Sequence, residues 1–351
     1  MQYEIEESNG NEGYPKAENL WLKVLPPTTD LKKKFPWYYN NKHFPSRLYL
    51  LREHGKSNVV GAIGSVSRFY NTKENEVKVG LCSDFAVDKD HQTVAPALQL
   101  LKSLVKDSLN YCDILLGFPN NKAVLVMRRA GFHILGELPR YALIISSQSY
   151  INKVSNIYMS NILSIPIDII LRVYFFIARS KNYSSYTLNE ISTINNSFDA
   201  FWREWSDKNN FYAGKRDAQY IQWRYLLNPL KKSRIFTMTN RKTKKLCAYA
   251  VIRENSEGHW HIFDFLTLDN KEILKCLLQK LISTALKEKA PSLSLEFFGN
   301  PDVNQILRSL RFSQRVNERR VIVHPLNEDK VSQAHLYDVN NWHITSADEL
   351  G

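Results

Sequence analysis

Residues 84–101 read DFAVDKDHQTVAPALQLL. The stretch opens as an apolar strand and closes as a helix with its leucines at helical spacing. Between them lies HQTVAPA, residues 91–97, a turn built from small residues where bulkier ones would be expected. A strand ending at Val87, a turn, and a helix opening near Val94 make an anion-binding device. Backbone N–H groups at a helix N-terminus point outward, and the helix dipole favours negative charge there. Small side chains let a diphosphate come close to that backbone. The loop positions are Gln92, Thr93, Val94, Ala95, Pro96 and Ala97, and Phe85, Ala86 and Val87 lead into them.

Outward from this stretch, the chain repeats itself once. Asp84-Phe85 ends one apolar strand and Asp264-Phe265 ends another, 180 positions later. Asn120 precedes a helical segment that stops at Phe132, and Asn300 precedes one that stops at Phe312, again offset by 180. Trp37-Tyr38-Tyr39 has a counterpart in Trp223-Arg224-Tyr225. Landmarks in one order at nearly the same offset imply two copies of a domain, about residues 1–150 and 190–325. An apolar helix and linker (151–189) join them, and a tail (326–351) follows. Each copy reads as a helix, three strands in a meander, a helix, a short strand, a second helix and a closing strand, YALIISS in one and RRVIVHP in the other. The expected class is α+β: a mixed, mostly antiparallel sheet flanked by helices, built twice.

The chain has 351 residues, more than one ordinary core holds, which agrees with two domains. Its aromatic content of 12% argues against disorder. The net charge of +12 favours an anionic partner, but the lysines are scattered and form no single stripe, which argues against nucleic acid. Cys82, Cys112, Cys247 and Cys276 are far apart, as expected of reduced thiols in a cytoplasmic protein, and no metal-ligand spacing is present. The apolar segment 159–178 carries Pro166, Asp168 and Arg172, so a buried or interfacial helix is expected rather than a membrane span, with peripheral membrane contact as the alternative.

The pattern Gln92-x-x-Ala95-x-Ala97 resembles the signature of the GNAT superfamily of acyl-CoA-dependent N-acyltransferases. Asn120, Ala123 and Gly131-Phe132 resemble that family's N-x-x-A followed downstream by GF. The resemblance implies acyl-CoA as co-substrate, held by Phe85, Ala86, Val87, the loop 92–97, Asn120 and Ala123. Three departures stand out: Ala95 replaces the central glycine, Pro96 removes one N–H, and Met127 stands where many members carry a tyrosine acid. The second copy has no small-residue turn in LDNKEILKCLL and resembles a degenerate GNAT domain without its own cofactor site. With WYYNN (37–41), GFPN (117–120), RDAQYIQWRYLLNP (216–229) and the tail NNWHITSADEL (340–350), the whole chain resembles double-GNAT proteins of bacterial surface-polysaccharide synthesis.

That likeness implies acyl transfer, of acetyl or a hydroxyacyl such as 3-hydroxybutanoyl, to the amine of a nucleotide-linked, dTDP-type amino sugar. The rival readings are acylation of an amino acid, peptide or protein amine, and a catalytically silent binding protein. Amide formation needs a proton acceptor for the amine and donors for the thioester oxygen. Asp84 is the nearest carboxylate in sequence: either the base or a strand-end aspartate paired with Lys or Arg. Trp37, Tyr38, Tyr39, Asn41, Trp223, Arg224 and Tyr225 are the candidate acceptor residues, because aromatic faces stack on rings and arginine binds phosphate; core packing is the competing role. Trp342 and Asp348 either close over the cleft or belong to a frayed end.

Overall fold

A computed structural model describes residues 2–26, 30–72, 75–146, 183–268 and 271–349. The apolar segment 159–178 therefore lies outside the described residues. Two eight-stranded mixed sheets, each flanked by helices, make up the fold.

The first sheet holds β1 (Tyr3–Asn9), β2 (Ser46–Glu53), β3 (Val59–Asn71), β4 (Glu76–Val87), β5 (Ile114–Gly117) and β6 (His133–Glu137). Its helices are α1 (Gly10–Val24), α2 (Leu31–Tyr39), α3 (Val94–Ser108) and α4 (Asn121–Arg129). The second sheet holds β8 (Tyr186–Ile191), β10 (Arg234–Asn240), β11 (Leu246–Glu254), β12 (Trp260–Thr267), β13 (Ser292–Gly299) and β14 (Ser313–Arg315). Its helices are α5 (Ser197–Lys208), α6 (Lys271–Lys287) and α7 (Pro301–Ser309). The strand pattern follows from alternation: in β4, Val77, Val79 and Leu81 are buried while Glu76 and Lys78 are exposed. Asn120 caps α4 by accepting from the N–H groups of Lys122 and Ala123. Asn300, its counterpart, caps α7 through Asp302 N–H.

The closing strands depart from the sequence expectation. β7 (Arg140–Ile144) does not close the first copy; it pairs antiparallel with β13, in the second sheet. β15 (Arg320–Pro325) does not close the second copy; it lies between β5 and β6, in the first. The two strands sit 180 positions apart and have traded places, since Arg140 and Arg320 open them. Each buries apolar side chains one and three positions after its opening arginine, Tyr141 and Leu143 in β7 and Val321 and Val323 in β15, so the apolar pattern alone does not assign either strand to a sheet. The exchange runs the buried core through both copies: Tyr141 and Leu143 pack with second-copy residues, and Val321 and Val323 with first-copy ones.

Short strands β9 (Ala213–Gly214) and β16 (His343–Thr345) complete the sheets; β9 pairs with β3 and β16 with β13. The edge strands β1 and β8 were not anticipated. Both are half-buried and rich in charged or polar residues, so their alternation carries little apolar signal.

Candidate active site

The parallel ladder between β4 and β5 ends at Leu81 opposite Leu116, yet β4 runs on to Val87. Beyond Leu81 the two strands diverge. Every second main-chain N–H of β4 on that side has lost its ladder partner. Ser83 still faces Gly64 on β3, but Ala86 faces Ala62, so Asp84 and Phe85 together stand opposite Ile63. This bulge puts Asp84 at a φ of 52°, a left-handed conformation unusual for a non-glycine residue.

Into this opening the structure places a cavity of about 200 Å³. Its walls are Leu81–Phe85 of β4, Gly117–Asn120 after β5, Ala123 and Met127 of α4, Leu25 and Lys34 beside α1 and α2, and Asp348 and Glu349 of the tail. The turn after β4 is not part of that lining; Gln92, Thr93, Val94 and Ala95 are exposed at the N-terminus of α3. The Thr93 side chain, at the N-cap, accepts no cap hydrogen bond, and the first-turn N–H groups of Val94 and Ala95 have no intrahelical partner. Pro96 supplies no N–H, is buried, and starts the packing of α3. The Gln92 amide is spent inside the loop, donating to the Val87 carbonyl at 3.0 Å.

Asp84 is firmly held. Lys34 Nζ donates to one carboxylate oxygen at 2.7 Å, Tyr39 OH to the other at 2.7 Å, and Trp21 Nε1 to its main-chain oxygen at 2.7 Å. Both members of the ion pair have side chains only 6% exposed. Gly64 makes this possible: a Cβ there would lie 2.4 Å from the Tyr39 hydroxyl. The second copy repeats the device on Asp264. Arg216 Nε donates to one oxygen at 3.1 Å, and Tyr225 and Tyr249 each to the other at 2.7 Å. Of the two roles open to Asp84, the geometry matches the lysine-paired strand-end aspartate.

The second copy has the same divergence, after Ile262 opposite Leu295, but there it is filled. β16 lies in it, pairing Phe297 with Thr345, Phe298 with Ile344 and Gly299 with His343. Thr345 Oγ1 donates to Asp264 at 2.9 Å, and His343 Nε2 meets the Phe265 carbonyl at 3.1 Å. Gly299 permits the approach, since a Cβ on it would fall 1.7 Å from the Trp342 carbonyl oxygen. The tail then crosses back. Asp348 accepts from Arg216 of the second copy at 2.7 Å and from Arg68 of the first at 3.3 Å, and Glu349 reaches the open cleft. Arg216 and Arg68 hold the Asp348 carboxyl below the usual range even though burial opposes them.

The aromatic candidates are placed differently from the expected sugar platform. Tyr38, Tyr39, Trp223, Arg224 and Tyr225 are buried. Trp37 stacks on Trp223, centroids 5.0 Å apart, so these rings face one another across the junction of the copies. The Tyr38, Tyr39 and Tyr225 hydroxyls are held protonated by burial first and by neighbouring Asp84 or Asp264 second. Asn41 follows α2, its side chain accepting from His43 N–H at 2.9 Å.

Lys34 and Glu349 are cleft residues that sequence reasoning missed. The available signal for Lys34 was Asp84 itself, since a buried carboxylate needs a cation. Glu349 carried no signal in an aperiodic tail. Burial raises its carboxyl above the ordinary range, with Arg319 pulling the other way.

No family profile matches the chain, and no curated protein does. Solved structures do. A probable N-acyltransferase of unknown function from Enterococcus faecalis is 12% identical with a TM-score of 0.64, over 93% of this chain and 73% of that one. A GCN5-related N-acetyltransferase from Anabaena variabilis gives 10% and 0.65, over 93% and 73%. Eis1 from Mycobacterium abscessus gives 11% and 0.58, over 96% and 76%. The fold is GNAT-like. At these identities the likeness establishes architecture alone. No helix among the described residues is long and apolar enough to cross a membrane.

Proposed function

We propose that this chain is an acyl-CoA-dependent N-acyltransferase whose first copy carries the reaction. The observation that supports this most is the contrast between equivalent places: the β4–β5 opening is a lined cavity, and the β12–β13 opening is closed by the chain's own tail. An open cleft with unpaired strand amides, and an exposed helix N-terminus following the same strand in sequence, suit a thioester arm with a diphosphate at its far end. Phe85, Ala86, Val87, Asn120 and Ala123 take the arm, and Thr93–Ala97 the phosphates. Bound there, acyl-CoA supplies an activated acyl group.

The protein's own groups do the rest. Lys34 and Tyr39 fix the bulge at Asp84, which aims the free β4 amides at the thioester oxygen. Among the cavity's carboxylates, Asp84 and Asp348 are committed to cations, and Glu349 has an oxygen that no described residue bonds. Glu349 therefore takes the proton that the acceptor ammonium must lose. A carboxylate with a raised pKa is better matched to that transfer than an ordinary one. A thiolate leaving group departs without a strong acid, which suits Met127 at the place of a tyrosine.

The acceptor we propose is a nucleotide-linked amino sugar, with dTDP as the carrier, acylated in the cytoplasm for surface polysaccharide. The net charge of +12 and the whole-chain resemblance support it. Calorimetric titration with CoA, then incubation of acetyl- and 3-hydroxybutanoyl-CoA with a panel of nucleotide amino sugars, amino acids and peptides, tests the reading through released thiol. Binding of CoA with an Ala123→Trp variant silent supports it. No heat from CoA at millimolar concentration sinks it and leaves a binding protein.

A further inference from the structure

Beside the cleft, two arginines share one aromatic ring without a counter-ion. The guanidinium carbons of Arg253 and Arg224 stand 3.6 and 5.3 Å from the Phe263 centroid. Phe263 owes this place to a bulge: Asp264 faces Val251 and Ile262 faces Ile252, so Phe263 is the extra residue. Arg253 Nε donates to Ser233 Oγ at 3.2 Å, and Arg224 Nη2 to the Glu349 carbonyl at 2.7 Å. Neither arginine makes an ion pair among the described residues. Arg253 Nη2, Arg224 Nε, and the indole N–H groups of Trp37 and Trp223 are shielded from solvent and have no partner. The four belong to one cluster, since Arg224 also stands over Trp37 and Trp37 stacks on Trp223.

Such an arrangement is costly. A buried donor left unbonded loses its hydration with nothing in return, and an uncompensated buried cation loses more. Burial, then Arg224, pulls the Arg253 guanidinium down to about 9. Lys231 lies close enough that Arg253 and Arg319 lower it further after burial. The nearby carboxylates, Glu296 and Glu349, are engaged with Arg319.

We infer that Arg253, Arg224 and Lys231 form a binding site for a phosphate or diphosphate group. A tetrahedral dianion accepts three or more donors at once, and guanidinium forks suit its geometry. A carboxylate has two oxygens and satisfies fewer of them. Arg253 is half-buried, so rotation of its outer torsions presents Nη2 at the surface. Arg224 and Arg319 both touch Glu349, which puts the site at the edge of the cleft. On the acyltransferase reading, the phosphate belongs to the acceptor, and its anchorage here turns the acceptor's amine toward Glu349. The phosphate site itself does not depend on that reading.

The test uses the full chain with saturating CoA, titrated with inorganic pyrophosphate, dTDP and succinate, beside variants Arg253→Met and Lys231→Gln. Pyrophosphate and dTDP bind and raise the melting temperature, and succinate does not. Arg253→Met removes a charge that nothing offsets, so its unliganded melting temperature is equal or higher, while pyrophosphate affinity falls at least about tenfold, the loss of one charge-assisted contact. Lys231→Gln, an exposed change, weakens pyrophosphate about threefold. Pyrophosphate that competes with CoA, or binds equally to both variants, overturns the proposal, as does an Arg253→Met protein that melts early and still binds the anion. If CoA gives no heat but pyrophosphate binds and needs Arg253, the acyltransferase reading falls and the phosphate site stands. If Arg253→Met does not fold, equal pyrophosphate affinity in Lys231→Gln and wild type overturns the site.

Discussion

Replacing Asp84 by asparagine separates its structural part from a chemical one. The substitution keeps an acceptor for the Tyr39 hydroxyl but leaves the Lys34 ammonium, 6% exposed, without a counter-charge. Breaking a buried pair from one side costs about 3–5 kcal/mol. The Tyr38 ring, 6.0 Å from Nζ, recovers little of this, so about 3 kcal/mol is expected for Asp84→Asn. Lys34→Met strands a carboxylate with one side-chain donor and should cost about 4 kcal/mol. The double variant removes both charges and should be more stable than either single one, because a neutral packed pair has no charge to desolvate. Urea unfolding followed by tryptophan fluorescence measures all four proteins, and Trp21 reports directly because its indole bonds the Asp84 carbonyl. Turnover of the folded Asp84→Asn protein should keep its pH profile. An Asp84→Asn protein within about 0.5 kcal/mol of wild type that has lost the rising limb of that profile would refute the reasoning and make Asp84 the base.

Glu349→Gln should leave CoA affinity unchanged and lower turnover about 10²-fold or more, the usual contribution of a positioned base. Its carboxyl is raised in the fold, so wild-type rate climbs with pH through a limb above the ordinary carboxylate range, and the variant lacks that limb. The same shift makes the group stabilising at low pH and less so as pH rises through it, so Glu349→Gln should be relatively more stable at neutral pH than at pH 4. Gly299→Ala combines a φ of +128° with a collision against the Trp342 carbonyl, so the tail should undock, at a cost of more than about 3 kcal/mol. Limited proteolysis should then cut near residues 340–348 while CoA still binds; an intact tail in that variant contradicts the docking.

The duplication was legible because Asp84 and Asp264, and Asn120 and Asn300, are fixed by local demands that each copy must meet, a bulge and a helix cap. The end of β4 at Val87 and the start of α3 at Val94 were legible because the apolar residues change there to helical spacing. The strand exchange was not, since β7 and β15 carry buried apolar residues at matching positions and pairing choice is a property of two sheets together. Trp37 and Trp223 were ambiguous for a related reason: an aromatic ring has one appearance in sequence whether it meets a sugar or another ring. Ser346, Ala347 and Asp348 have no periodicity, and their burial rests on long-range contacts, Ser346 with Glu296 50 positions away and Asp348 with Arg68 at 280.

The traded strands also govern how the polypeptide can be made. When residue 146 leaves the ribosome, β5 and β6 exist but the strand that belongs between them has not been synthesised. Both edges stay unsatisfied until residue 325 emerges, an interval of 179 residues, or roughly 10–40 s at typical elongation rates. For that time the nascent amino-terminal half presents raw sheet edge, an invitation to chaperones and to mispairing with neighbours on the same message. Splitting the gene at the midpoint would give two fragments that each lack one central rung and carry the other's.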